Sequence, residues 1–223
     1  MTKILWDQTG DRFYETGVKN CVFYAQVEGT YPKGVAWNGI TSITQSPSGA
    51  EATPLYADDI KYLNLYSVEE FGATVEAYTY PDEFAACDGS ANLVTGISIG
   101  QQPRKPFGLA YKTTIGNDEN NKLGYKIHLI YGAMASPSEK AYSTINDSPE
   151  AMTLSWELTT TPVSVTGFEP TSYLEIDSTK FTNENKSKLE ALEKVLFGDT
   201  DTEARLPLPD EVKKIITTGV VSG

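Results

Sequence analysis

Phe71-Gly-Ala-Thr-Val-Glu-Ala-Tyr-Thr-Tyr80 alternates in steps of two: Phe71, Ala73, Val75 and Ala77 project to one side, and Thr74, Glu76 and Tyr78 to the other. That is the signature of a strand with one face in a core and one in solvent. Met152, Leu154, Trp156 and Leu158 alternate in the same way with Thr153, Ser155, Glu157 and Thr159, and Pro162 bounds the run. Further strands are expected over 22–28, 36–45, 60–66, 93–99, 107–115, 124–133 and 172–177. Turn chemistry separates them, at Gly29 to Gly34 around Pro32, at Asp88-Gly89, and at Gly116-Asn-Asp-Glu-Asn-Asn121, which reads as a hairpin tip. Links this short imply antiparallel pairing, so the fold class is mainly β.

Two segments between the strands differ. Pro81-Asp-Glu-Phe-Ala-Ala-Cys-Asp88 opens with proline and two acids, so one or two turns of helix are expected there. Ser46 to Asp59, with Pro47, Gly49 and Pro54, reads as a long connection, and loops of that length in compact folds usually carry function. After Lys180 the period becomes helical. Thr182 or Asn183 is the expected cap of a helix whose apolar residues are Leu189, Leu192, Val195 and Leu196, and Gly198 supplies the left-handed stop. Burying those four at about 1.5–3 kcal/mol each docks the helix onto the strands. Pro207 and Pro209 precede a second helix with Asp210 and Glu211 in its first turn and Val212, Ile215 and Ile216 as its apolar stripe. Residues 1–180 are thus expected as a β-sandwich unit and 181–223 as a helical extension.

The chain has 223 residues with 18 Lys or Arg against 30 Asp or Glu, a net charge of −12. Acids outnumber bases on both sides of residue 180, more strongly before it. A sequence-independent grip on DNA needs clustered Lys and Arg to displace counterions, so that class is excluded. The N-terminus lacks a continuous apolar stretch, since Asp7, Gln8, Asp11 and Arg12 interrupt it, and no segment has the roughly 20 apolar residues of a membrane span. Synthesis and folding in a cytoplasm are expected. Cys21 and Cys87 lie far apart without a CxxC pattern and read as reduced, buried thiols.

Signals for catalysis are weak. The only histidine, His128, shares a strand face with Lys126 and Ile130, opposite Tyr125, Ile127, Leu129 and Tyr131, and reads as a strand-surface or partner-facing side chain rather than a base. No phosphate-cradling glycine loop is present. Asp58-Asp59, Glu69-Glu70 and Asp82-Glu83 read as solvated acids, because neighbours in a strand face opposite ways. Asp199-Thr-Asp-Thr-Glu203 begins like a calcium loop but has Ala204 at the sixth position and Asp210 at the twelfth. No catalytic, cofactor or metal residue is assigned. Thirteen tyrosines leave a carbohydrate-binding sandwich open, although Tyr24, Tyr78, Tyr111, Tyr125 and Tyr131 fall in strands where a core or interface role serves equally well.

Longer strings decide more. Thr-Gly-Val-Lys-Asn (16–20), Ser-Pro-Ser-Gly-Ala-Glu-Ala-Thr-Pro-Leu-Tyr-Ala-Asp (46–58), Glu-Ala-Tyr-Thr-Tyr-Pro-Asp-Glu-Phe (76–84), Ile-Gly-Gln-Gln-Pro-Arg-Lys-Pro-Phe-Gly (99–108), Thr-Thr-Thr-Pro-Val (159–163) and the ending with Arg-Leu-Pro-Leu-Pro-Asp-Glu-Val resemble, in order, the major tail (tail tube) protein family of long non-contractile-tailed bacteriophages and prophages of Gram-positive hosts. The resemblance implies an antiparallel β-sandwich whose strands join those of neighbours in a hexameric ring with a central β-barrel. Such rings stack into a noncatalytic virion tube around the tape measure protein, between tail initiator and distal tail proteins and the terminator. The genome passes through the lumen without specific binding. By position, the subunit-interface loop comprises Ser46, Pro47, Ser48, Gly49, Ala50, Glu51, Pro54, Leu55, Tyr56 and Asp58. Glu76 and Glu157 are candidate lumen residues, although Lys112 and Lys126 also lie on polar strand faces. The alternatives are a related ring-forming tail or secretion-tube component and a sugar-binding module.

Overall fold

A computed structural model describes residues 3–145, 147, 148 and 150–221; the outer ends of the two expected units, Met1 and Gly223, lie outside them. In chain order the strands are β1 (Tyr14–Ala25), β2 (Gly34–Ala36), β3 (Ile40–Gln45), β4 (Ala52–Ala57), β5 (Ile60–Tyr66), β6 (Gly72–Ala77), β7 (Ala91–Val94), β8 (Ile97–Ile99), β9 (Phe107–Gly116), β10 (Gly124–Ala135), β11 (Leu154–Thr160), β12 (Val163–Val165), β13 (Phe168–Thr171) and β14 (Tyr173–Asp177). A 3₁₀ turn, Asp82–Ala86, stands where a short helix was expected, and helices α1 (Lys186–Phe197) and α2 (Pro209–Thr218) close the chain. The protein is mainly β and every strand pair is antiparallel.

The main sheet runs β2-β1-β9-β10-β11-β6-β3, and β14 joins β10 beside that path. β10 therefore has two partners on one edge: β14 along Lys126–Ile130 and β11 along Ala133–Ala135. The fork lies at Gly132, where φ is +60° and the register with β9 shifts. A Cβ there would stand 2.2 Å from the Thr161 carbonyl oxygen, so only glycine lets the strands diverge.

The sheet curls until its two ends meet across one core. Phe23 of β1, Phe107 and Leu109 of β9, Leu154, Trp156 and Leu158 of β11, and Ala73, Val75 and Ala77 of β6 bury the alternating side chains that the sequence pattern picks out. Trp37 and Phe84 fill the centre, with ring centroids 4.5 Å apart, and each contacts Trp156. Gln45 Nε2 at the end of β3 donates to Tyr111 Oη of β9 at 2.9 Å, which ties the far strand across the fold.

The opposite face of β1, β9 and β10 is also apolar, and the helices cover it. Val22, Tyr24, Ala110, Ile127, Leu129 and Tyr131 meet Leu189, Leu192, Val195 and Leu196 of α1 and Val212 and Ile215 of α2. Tyr131 Oη donates to the Pro207 carbonyl at 2.9 Å, and Tyr24 Oη to that of Leu196, so the buried phenols are satisfied. Lys112 bonds Glu193 of α1 at 2.7 Å and lies over the rings of Tyr125 and Phe197.

Several boundaries differ from expectation. The single strand expected over 36–45 is broken at Gly39, with φ at +79°, and the one over 93–99 is a tight hairpin turning at Gly96. β1 begins at Tyr14, well before Val22, because its first half pairs with the far end of β9. Neither β4 nor the β12–β13 hairpin was expected. Helix α1 starts at Lys186, not beside Thr182 or Asn183; a turn in which the Thr182 carbonyl accepts from Asn185 N comes first. Gly198, with φ at +73°, ends the helix as expected.

Leu192, fully buried between α1 and the sheet, is the position for testing that docking. Leu192→Ala is expected to lower unfolding stability by about 2–5 kcal/mol, read by denaturant titration, with one cooperative transition reported by tryptophan fluorescence and far-UV circular dichroism.

Candidate assembly interface

The segment 46–59 is not a loop. It is the outgoing half of a β-ribbon whose return half is β5, the strand expected over 60–66, which pairs only with β4. The ribbon continues the β3–β6 pair outward. Ser46 N donates to Gly72 O at 2.9 Å, Ser48 and Glu70 exchange both backbone bonds at 2.9 and 2.8 Å, and Ser67 N reaches Glu51 O at 3.4 Å. β4 and β5 then pair from Ala52–Tyr66 to Ala57–Ile60. Asp58 and Asp59 form the tip, both with positive φ (51° and 62°), as a two-residue hairpin turn requires. Pro54 is tolerated in β4 because a two-stranded ribbon has an unpaired edge.

Between stem and arm the chain kinks at Gly49 and Ala50, with φ of +85° and +53°. A Cβ on Gly49 would stand 2.2 Å from Val68 O, so the returning strand passes against its backbone. Beyond the kink, β4 spans about 20 Å at ~3.4 Å per residue. No residue of β4 or β5 is buried. One face is aliphatic, with Leu55 opposite Leu63 and Thr53 opposite Leu65. The other presents Tyr66 across from Ala52, and Tyr56 across from Lys61 where the register shifts. Tyr56, Tyr62 and Tyr66 are each 70% exposed. A two-stranded ribbon is marginal alone in water, and this one displays apolar side chains on both faces.

The expected interface residues thus fall along one ribbon: Ser46, Pro47 and Ser48 in the stem, Gly49 and Ala50 in the kink, Glu51 beyond it, Pro54, Leu55 and Tyr56 in β4, and Asp58 at the tip. The expected lumen residues come together as well. Rows cross β3, β6 and β11 as Ser42–Glu76–Ser155 and Thr44–Thr74–Glu157, on the face opposite the core. Ser42 Oγ donates to Glu76 Oε2 at 2.8 Å, and Glu157 is exposed. These three strands contain no Lys or Arg. The lysines that left the assignment open lie elsewhere, Lys112 under α1 and Lys126 in an ion-pair group with Glu15 and Glu175 at 2.8 and 3.0 Å.

His128 is not a surface residue: it is 4% exposed. Its ring stacks on Tyr111 (centroids 4.6 Å apart, 13° between planes), Tyr173 lies on its other side at 6.0 Å, and Phe71 stacks on Tyr173 at 5.0 Å. Thr113 Oγ1 donates to Glu15, so His128 Nε2 is the donor to Thr113 Oγ1 at 2.8 Å, with Glu15 Oε1 3.2 Å away. Nδ1 lies 2.6 Å from Tyr173 Oη, which also donates to Glu175 Oε2 at 3.3 Å. Burial holds the His128 pKa below its ordinary 6.5, against the pull of Glu15 and Glu175. Burial alone would raise Glu15, but bonds from Lys126 and Thr113 leave it below 4.5. This column joins β1, β9, β10 and β14, and through Phe71 and Gln45 it braces both strands at the root of the arm. The sequence signal was the shared face of Lys126 and His128; what it lacked was the two neighbouring strands, β9 and β14, whose Tyr111 and Tyr173 flank the ring on that face.

Cys21 and Cys87 are free and buried, with thiol pKa values pushed up by burial to about 12. Among the described residues no group of three His, Cys, Asp or Glu side chains is placed to hold a metal, and no helix is long and apolar enough to cross a membrane.

No family model matches the chain, and no curated protein does. Among solved structures it is similar to a chain in the cryo-EM structure of the anti-feeding prophage baseplate, 6-fold symmetrised, at 9% identity and a TM-score of 0.37, over 78% of this chain and 97% of that one.

Gly49→Ala puts a side chain into a left-handed position against Val68 O and is expected to cost at least about 1–2 kcal/mol locally. Its expected phenotype is a folded protein with a redirected arm, read as unchanged far-UV circular dichroism with faster proteolysis between residues 50 and 68. A second expectation concerns acid. The unfolded chain binds a proton on His128 near pH 6.5 that the folded chain refuses, so stability falls as pH drops below 6.5, and it falls further through 4.5 as Glu15 is protonated. Thermal melts from pH 7.5 to 4 should show both losses, and His128→Gln should flatten the upper one alone.

Proposed function

We propose that the chain is a noncatalytic structural subunit of a phage-type tail tube, which assembles as stacked hexameric rings around a tape measure protein and forms the conduit for the genome. The β3–β6 ribbon carries this reading. Over its inner length it forms, with β11, a smooth sheet face of hydroxyls and carboxylates, and over its outer length it becomes an apolar arm that its own chain does not cover.

Each half has a physical task in a tube. A wall past which DNA must slide has to avoid holding phosphates, and a face with Glu76 and Glu157 and no base repels them weakly along its length. Subunits carrying a net charge of −12 repel one another, so their association depends on burying apolar surface, which the arm supplies. Ring closure also removes the open sheet edges that a single subunit leaves at β3, β14 and β2. In this reading the helices, on the far side of the sheet from the core, belong to the outer surface of the tube, and the protein belongs to the virion.

Purified protein, concentrated and viewed by negative-stain electron microscopy with light scattering on the same sample, is expected to show hollow tubes or six-subunit rings. Ser48 and Glu70 form a hydrogen-bonded pair, so replacing residues 49–69 by Asn-Gly closes a tight hairpin and removes the arm. That variant is expected to stay folded and monomeric. Tubes formed without the arm remove its assembly role. A wild-type chain that stays monomeric alone and with its tape measure and initiator partners overturns the tube reading.

A further inference from the structure

We infer that the aliphatic face of the arm of one copy packs on the apolar face of the β7–β8 hairpin of the next copy. The repeat of copies rests on the tube reading; the pairing of these two surfaces rests on their own chemistry.

The β7–β8 hairpin is amphipathic and uncovered. Asn92 lies opposite Ser98, whose Oγ donates to Asn92 Oδ1 at 3.0 Å, and these mark its polar side. Ala91 pairs with Ile99 and Val94 with Ile97, and Val94 and Ile97 are more than half exposed. No residue of β7 or β8 is buried, and neither strand pairs outside its hairpin. The chain therefore carries two ribbons with exposed aliphatic faces, Leu55, Leu63 and Leu65 on one and Val94, Ile97 and Ile99 on the other, neither covered within its own subunit. Each is too small to persist alone in water. Stacked face to face, like the layers of a sandwich, they cover one another with aliphatic side chains.

Charge favours the same pairing. Residues 46–71 carry Glu51, Asp58, Asp59, Glu69 and Glu70 against Lys61. The β7–β8 hairpin is uncharged and leads into Arg104, which pairs with buried Asp88 of its own subunit, and then Lys105, which is exposed and enters no ion pair among the described residues. An arm on one copy and a receiving hairpin on another make a heterologous contact, which repeats into rings or filaments instead of closing as a two-fold pair.

The test mixes a Leu63→Cys chain with an Ile97→Cys chain and adds a short bis-maleimide. Both positions are surface exposed, and the two native thiols are buried and silent. A cross-linked dimer from the mixture, absent from either variant alone, is the expected result, and the double variant should give a ladder. Cross-linking within Leu63→Cys alone means arm-to-arm pairing and overturns the proposal, as does cross-linking within Ile97→Cys alone. Tubes that assemble while the mixture fails to cross-link overturn it and leave the tube reading standing. A cross-link without tubes keeps the docking and removes the tube; neither cross-link nor assembly removes both.

Discussion

One strand, β10, is buried on both faces and paired on both edges, and its fork at Gly132 sets the position of everything else. Ile130 and Ala133 face the aromatic core, while Ile127, Leu129 and Tyr131 face the helices. Because β10 hands its edge from β14 to β11, the sheet splits into two regions. The region with β14 encloses the His128 column, and the region with β11, β6 and β3 stays bare on its outer side. A straight β10 would have one partner on that edge, and either the enclosed column or the bare face would be lost.

Much of this is readable in sequence because it depends on local period. Alternation in 71–80 and 152–158 placed Ala73, Val75, Ala77, Leu154, Trp156 and Leu158 in the core, and the spacing of Leu189, Leu192, Val195 and Leu196 placed the face of α1. These residues answer to one neighbour layer each, so their pattern survives without knowledge of the fold. The arm was harder. Pro47, Gly49 and Pro54 are loop residues by composition, and only the pairing of Ser48 with Glu70 and of Ala52 with Tyr66 shows that the segment is half of a ribbon. Ile60–Tyr66 was recognisable as a strand, but nothing local says that its partner lies outside the sheet.

His128 shows the opposite limit. The face it shares with Lys126 looks polar in sequence and therefore solvated, yet β14 pairs beside β10 from more than forty residues away and brings Tyr173 against the ring. Lys126 keeps its charge there because Glu15 and Glu175 flank it, and burial disfavours the charged form of His128, whose ring nitrogens are within hydrogen-bonding distance of Tyr173 and Thr113. A buried polar column of this kind depends on groups from four strands, so no single stretch of chain reports it. The candidate wall face, by contrast, was half legible: Glu76 and Glu157 were readable as outward residues, and the register showed that they occupy adjacent rows.

The arm and the bare face are one ribbon, and that continuity has a mechanical meaning. Strands held side by side by backbone hydrogen bonds resist tension along their length, since the bonds lie across the direction of pull. A load taken at the arm runs through the kink at Gly49 into β3 and β6, where it is resisted by the whole β6–β11 ladder from Gly72–Thr159 to Ala77–Leu154 acting in parallel. Peeling, which would break those bonds one after another, needs a force applied sideways at one end. By that geometry the ribbon resists being drawn out along its length and yields to bending at the kink.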